Sequence, residues 1–115
     1  YIRRRNVLGN RLGLEMSTEL IGKGLMIYHF NNVVNTNAVI GENLHLHGGN
    51  VIGNAGNGDM RCPVIGNNVM LGAGAKVIGG VTIADDIKIA AGAVVVHSFM
   101  EPGITIGGVP ARKLK

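Results

Sequence analysis

From Ile65 to Val96 the chain counts in sixes. Ile65, Leu71, Val77, Ile83, Ile89 and Val95 open successive hexads, and each is a large aliphatic residue. Four places into each hexad stand Val69, Ala75, Val81, Ile87, Ala93 and Phe99, mostly small or aliphatic. A period of six matches neither the 3.6 of a helix nor the 2 of an alternating strand. A short fixed repeat indicates a solenoid, and a hexapeptide period indicates a parallel β-helix. The expected fold class is therefore all-β.

The repeat dictates a geometry. Each hexad makes one short strand and one corner. Three hexads make a triangular coil of about 18 residues, and coils stack at roughly 4.8 Å. The opening aliphatic residue points into the prism, and the residue four places on fills the space near a corner. Gly66, Gly72, Ala84 and Ala90 stand where a large side chain would crowd the bend. Backbone groups pair between coils, so none is left buried and bare. Burial of each inner aliphatic contributes roughly 1.5–3 kcal/mol. The general rule for parallel crossovers favours a right-handed turn.

Residues 1–12 lack the repeat and read as an N-terminal arm. Residues 13–115 form the solenoid domain. Ile21 and Ile27 are six apart. One extra residue then intrudes before the count resumes at Val34, Ile40, Leu46 and Ile52. Ala38, Leu44 and Asn50 take the corner positions, and a buried Asn50 requires partners. After Ile52 the ladder breaks until Ile65, and the Gly- and Asn-rich residues 53–64 read as a loop thrown out from a corner. Pro110 cannot donate to a ladder, so the last strand is expected to leave the stack near it.

Composition narrows the function classes. Nineteen glycines, no Trp and 3% aromatic residues suit a stacked solenoid. The net charge of +4 gathers mainly at the ends, in Arg3, Arg4, Arg5, Arg11, Arg112, Lys113 and Lys115. Nucleic-acid binding needs a basic face with aromatic stacking partners, and two Tyr and two Phe do not supply it. The lone Cys62 forms no internal disulfide and fits a reducing cytoplasm. No apolar run approaches the roughly 18–20 residues of a membrane span. The four histidines are not spaced as zinc ligands, so no metal is expected. Tyr1 in place of Met points to a longer protein.

Three segments carry a resemblance: Ile27-Tyr28-His29, Leu71-Gly72-Ala73-Gly74-Ala75-Lys76-Val77 and Gly108-Val109-Pro110-Ala111-Arg112. From about Gly13 onward the chain resembles the hexapeptide-repeat acetyltransferases, specifically the serine acetyltransferase branch. Within it, Cys62-Pro63-Val64-Ile65-Gly66 looks most like the proteins named for acetyl transfer in colanic-acid biosynthesis. The resemblance implies a left-handed parallel β-helix, an acetyl-CoA co-substrate, a hydroxyl acceptor and a homotrimer with active sites between subunits. It maps the general base to His29. The chemistry is sound independently: a neutral imidazole takes a hydroxyl proton near neutral pH, and a backbone N–H steadies the tetrahedral oxyanion. His29 stands two places after Ile27 and should project outward. The family's orienting carboxylate maps, with a one-residue gap, to Glu15.

Other candidates follow. Ile27 and Leu46 should stack, which lays His47 beside Tyr28. Tyr28, His47 and the loop residues Asp59 and Arg61 are the acceptor-binding candidates. His97 ranks below His47, and His45 has no argued role. Gly72, Ala73, Gly74 and Ala75, then Ala90, Ala91 and Gly92, are the pantetheine candidates. Lys76, Arg112 and Lys113 are candidates for CoA phosphates. The family's second active-site His is replaced by Cys62 and its Asp before the base by Tyr28. Both lost groups are associated with holding the amino acid, so a saccharide hydroxyl is the expected acceptor and L-serine the alternative. A non-catalytic trimeric binding module is the rival from another class.

Overall fold

The structure, a computed structural model, describes residues 21–115 and the backbone of Leu14 and Glu15. The expected arm, its boundary at residue 13, Arg3–Arg5 and Arg11 lie outside the described residues.

The described residues contain strands of two or three residues and no helix, arranged as the three faces of a left-handed parallel β-helix. Face A stacks β1 (Leu14–Glu15), β3 (Asn32–Val34), β6 (Val51–Gly53), β9 (Lys76–Ile78) and β12 (Val94–Val95). Face B stacks β4 (Val39–Ile40), β7 (Val64–Ile65) and β10 (Thr82–Ile83). Single bridges from Ile21 to Ile40 and from Ile83 to Phe99 extend it at both ends. Face C stacks β2 (Met26–Ile27), β5 (His45–Leu46), β8 (Met70–Leu71), β11 (Lys88–Ile89) and β13 (Thr105–Gly107). The chain runs from face C to A to B and back to C once per coil.

Register tells where the repeat is kept. Val64 pairs with Thr82, Met70 with Lys88 and Lys76 with Val94, each a step of 18 residues. Met26 pairs with His45, a step of 19 that contains the extra residue. Val51 pairs with Lys76, a step of 25, so seven residues beyond a regular coil leave the stack. From Val34 onward the hexad-opening residues form one buried column per face, including Leu46, Leu71 and Ile89 on C, Ile52, Val77 and Val95 on A, and Ile40, Ile65 and Ile83 on B; Ile21 and Ile27 are partly buried. Their side chains face a single interior, which is why the pattern tolerates almost no aromatic bulk.

The B–C corner shows how polar turn residues are satisfied. Asn43, Asn68 and Asp86 sit at φ of 59°, 57° and 61°, a region Asn and Asp tolerate better than most residues. The Asn43 amide donates to Asn68 Oδ1 at 3.0 Å, and the Asn68 amide donates to Asp86 Oδ1 at 3.1 Å. This ladder joins three coils side chain to side chain.

Three expectations are corrected. The loop is 54–63, because Gly53 ends β6 paired to Ile78 and Val64 opens β7. Pro63 is buried, and its carbonyl accepts the Val39 N–H at 3.1 Å. It fills the corner that Val81 fills one coil later. Phe99 is no corner filler: it pairs with Ile83 on face B, a step of 16 residues that is two short of a regular coil. The chain does not leave the stack at Pro110. It turns there and returns as β14 (Arg112–Lys113), antiparallel to β13.

Candidate active site

The extra residue falls at the C–A corner. Tyr28 N–H donates to Leu46 O at 2.9 Å, and Val33 N–H donates to Asn50 O at 2.8 Å. Between those bonds the lower coil spends four residues, His29 to Asn32, where the upper coil spends three, Gly48 to Asn50. The surplus bulges outward. Asn31 takes φ 64° to make the turn, and both His29 and Phe30 are exposed, Phe30 at 62%. Gly48 lies above His29 at φ 134°, and a Cβ there would stand 2.7 Å from His29 Cβ. The ring of His29 is therefore seated by an insertion below it and a missing side chain above it.

Beside the corner, on the outside of face C, three rings gather. Leu46 points inward, so His45 and His47 flank it on the outer surface. His47 stacks on Tyr28 with centroids 4.7 Å apart and planes 27° apart, as the register argument requires. His45, to which the sequence assigned nothing, lies with its Nδ1 2.9 Å from the Tyr28 hydroxyl, the rings stacked at 5.9 Å. Its signal was the pairing of Met26 with His45, which only the register reveals. His47 Nε2 is buried and has no hydrogen-bond partner among the described residues.

The same corner climbs the prism as a run of small residues. Gly74 N–H donates to Gly48 O at 2.8 Å, Gly92 N–H to Ala73 O at 2.9 Å, and Val94 N–H to Gly108 O at 3.0 Å. The pantetheine candidates Gly72–Ala75 and Ala90–Gly92 thus lie on the corner that begins at His29. Their side chains are not equivalent. Ala75 is wholly buried in the core, so only its backbone faces the corner. A Cβ at Gly72 would stand 2.7 Å from Ala91 N, which is a structural reason for glycine there. Gly92 has open space around it and φ 72°. Of the phosphate candidates, the Lys76 ammonium donates to Gly74 O at 2.9 Å and Lys113 pairs with Glu101 at 2.9 Å. Arg112 is exposed on β14 and forms no ion pair among the described residues.

Asp59, Arg61 and Cys62 are not brought to His29. Their loop leaves the A–B corner, across the width of face A, and His97 shares that corner. Arg61 pairs with Asp59 at 2.8 Å, and its hydrogen bonds lower the exposed Asp59 carboxyl to about 2. Burial pushes the Cys62 thiol up, away from thiolate chemistry. The backbone of Glu15 pairs with Val33 on face A; its side chain lies outside the described residues. Among the described residues no group of three or more His, Cys, Asp or Glu is placed to hold a metal ion. No helix there is long and apolar enough to cross a membrane.

Comparison with known proteins agrees with this architecture. The family model described as bacterial transferase hexapeptide (six repeats) matches residues 62–97. The serine acetyltransferase of Buchnera aphidicola is 36% identical over 98 residues, covering 83% of this chain and 37% of that protein. WcaB of Escherichia coli, provisionally named a colanic acid biosynthesis acetyltransferase, is 36% identical over 88 residues, covering 76% of this chain and 54% of that protein. Serine acetyltransferases thus match over the longer stretch, against the expectation that the colanic-acid proteins would lie nearest. Among solved structures, the Neisseria gonorrhoeae serine acetyltransferase superposes with a TM-score of 0.83 at 37% identity, covering 96% of this chain and 43% of that one. The same enzyme in complex with serine gives 0.83 at 35%, covering 96% and 46%. The Brucella abortus enzyme in complex with coenzyme A gives 0.76 at 38%, covering 82% and 38%. The chain spans about two fifths to half the length of these relatives. It belongs to the hexapeptide-repeat acetyltransferase family, close to the serine acetyltransferases.

Proposed function

We propose that this chain is the catalytic β-helix of an acetyl-CoA-dependent O-acetyltransferase, with His29 as general base. The observation that carries this is the placing of an exposed imidazole at the foot of a continuous small-residue corner. A thioester threaded down that corner ends beside the ring. An acceptor hydroxyl there gives its proton to His29 as its oxygen attacks the thioester carbonyl. The C–O bond forms, the C–S bond breaks, and the proton returns through the imidazole to the departing CoA sulfur. No covalent enzyme intermediate is needed. A similar protein in complex with coenzyme A supports the donor.

L-serine is the acceptor that the relatives favour, including one in complex with serine. This reverses the order expected from the sequence. A saccharide hydroxyl is the second reading, and one observation favours it. The surface next to His29 consists of the stacked rings of Tyr28, His45 and His47. The described carboxylates Glu42, Asp59, Asp85, Asp86 and Glu101 all stand on the other two corners or their turns, so the chain's own described surface offers no partner for an ammonium group there.

Acceptor contacts from Asp59 and Arg61 require a second copy, because one prism keeps its loop and its His29 on different corners. A homotrimer in which one chain's loop faces its neighbour's C–A corner meets that requirement. The test is thiol release from acetyl-CoA with L-serine and a sugar panel in parallel. His29→Ala should lose roughly 10²–10⁴ in turnover with the fold intact. Wild-type turnover in that variant would remove His29 from the mechanism, and acetylation of sugars alone would remove serine.

A further inference from the structure

Asn32 and Asn50 are the two buried polar residues among those described, each at 0% exposure. Neither stands where the repeat calls for a polar side chain. Asn50 holds a corner-filler position that Ala75 and Ala93 hold in later coils, and Asn32 opens β3 beneath it.

Every bond they make runs along the C–A corner. The Asn32 amide donates to the backbone carbonyl of His29 at 2.8 Å. Asn32 Oδ1 accepts the Asn50 N–H at 3.1 Å. Asn50 Oδ1 accepts the Gly48 N–H at 3.0 Å, fixing the glycine that lies over His29. The Asn50 amide then donates upward to Gly72 O at 2.8 Å and Ala75 O at 3.0 Å. The Asn50 side chain thus makes three hydrogen bonds and the Asn32 side chain two, and each uses both its amide nitrogen and its oxygen.

We infer that Asn32 and Asn50 form a buried strut that sets the height and angle of the His29 corner relative to the 72–75 corner one coil above. They are positioning residues: they touch neither reactant and act through the His29 backbone. The inference rests on reading His29 as the base. Its physical ground is that the four-residue bulge keeps one backbone bond to the coil above, from Gly49 N–H to Phe30 O at 2.9 Å, and the Asn32 and Asn50 side chains add the contacts that hold the His29 and Gly48 backbone. An apolar pair in these places would keep the coils packed and leave the bulge free to drift. A displacement of about 1 Å at a reacting group costs about a hundredfold in rate.

The test is a double-mutant cycle on the full protein with acetyl-CoA and its best acceptor. Asn32→Ala is expected to lower kcat by about ten- to a hundredfold, with little change in the KM for acetyl-CoA. In the His29→Ala background the same change should cost nothing more, because the residue it positions is gone. Multiplicative losses would overturn the strut as a device for His29, and so would unchanged kcat in Asn32→Ala. Asn32→Asp guards against misfolding: it keeps an oxygen toward Asn50 N–H and loses the donor to His29 once ionised, and because burial raises a carboxyl its kcat is read across pH up to the alkaline side. It should fold by circular dichroism and show the same loss in kcat. If neither variant folds, or Asn32→Asp keeps wild-type kcat, the pair serves the fold and not the base. Failure of the base assignment would show separately, as full turnover in His29→Ala alone.

Discussion

Gly48 illustrates how one residue decides what its neighbour can do. Its φ of 134° is strained for any L side chain, and a Cβ would meet His29 Cβ at 2.7 Å. Gly48→Ala should therefore destabilise the fold by about 1–3 kcal/mol and displace His29. Thermal melts and thiol release should both register it, whereas Gly56→Ala, with nothing within 4 Å at φ 76°, should show the backbone cost alone. At the far corner, Arg61 holds Asp59 at about 2, below its ordinary 3.8. A depressed carboxyl favours the folded state above its unfolded value, and that contribution is lost as pH falls from about 4 toward 2. A carbon-detected titration should place the Asp59 midpoint near 2 and move it toward 3.8 in Arg61→Ala. An unchanged midpoint in the variant would show that the ion pair is not its cause. The outward setting of His29 was legible from two places past Ile27. The role of Gly48 was not, since it exists only between coils.

Coils behave as nearly interchangeable elements, and departures from their period stand out. Between β9 and β10 the chain turns in three residues, Gly79–Val81; between β6 and β7 it uses ten. Replacing residues 54–62 with two glycines and keeping Pro63 restores that short turn. Loop closure changes by only about 1 kcal/mol, so the melting temperature should move by a few degrees while acetyl transfer falls. Retained transfer would exclude the loop from the acceptor site. Core columns answer differently. Leu71 is fully buried in the middle of face C, and Leu71→Ala should cost about 2–5 kcal/mol, read from urea unfolding. The strand ladder, the extra residue before Val34 and the break after Ile52 were visible in the sequence; the shortened last coil at Phe99 was not. The return of β14 was not, because a proline states only that a ladder donor is missing and not where the chain goes next.

For the whole molecule, the separation of the 54–63 loop from His29 across face A is the fact with most consequence. A site that uses both needs two chains. A His29→Ala chain and a loop-shortened chain, each inactive alone, should recover measurable thiol release when assembled together. Mixed assemblies that are verified by mass and remain inactive would refute the shared site. Sedimentation of the unaltered protein should give three copies, and an active monomer would leave no role for the loop in acceptor contacts.

A period of six needs no partner information to be read. Because every coil repeats the same burial, the sequence alone determined the β-helix, its inner columns, the loop and the outward histidine. Tertiary structure decided everything that depends on stacking unequal coils. Inserting one residue below Gly48 and seven beyond β6 shifts which residues share a rung, and no local pattern reports that sum. The Tyr28–His45 contact, the Asn32–Asn50 strut and the shared corner of His29 with Gly72–Ala75 arise only once coils of 18, 19 and 25 residues are laid on one another.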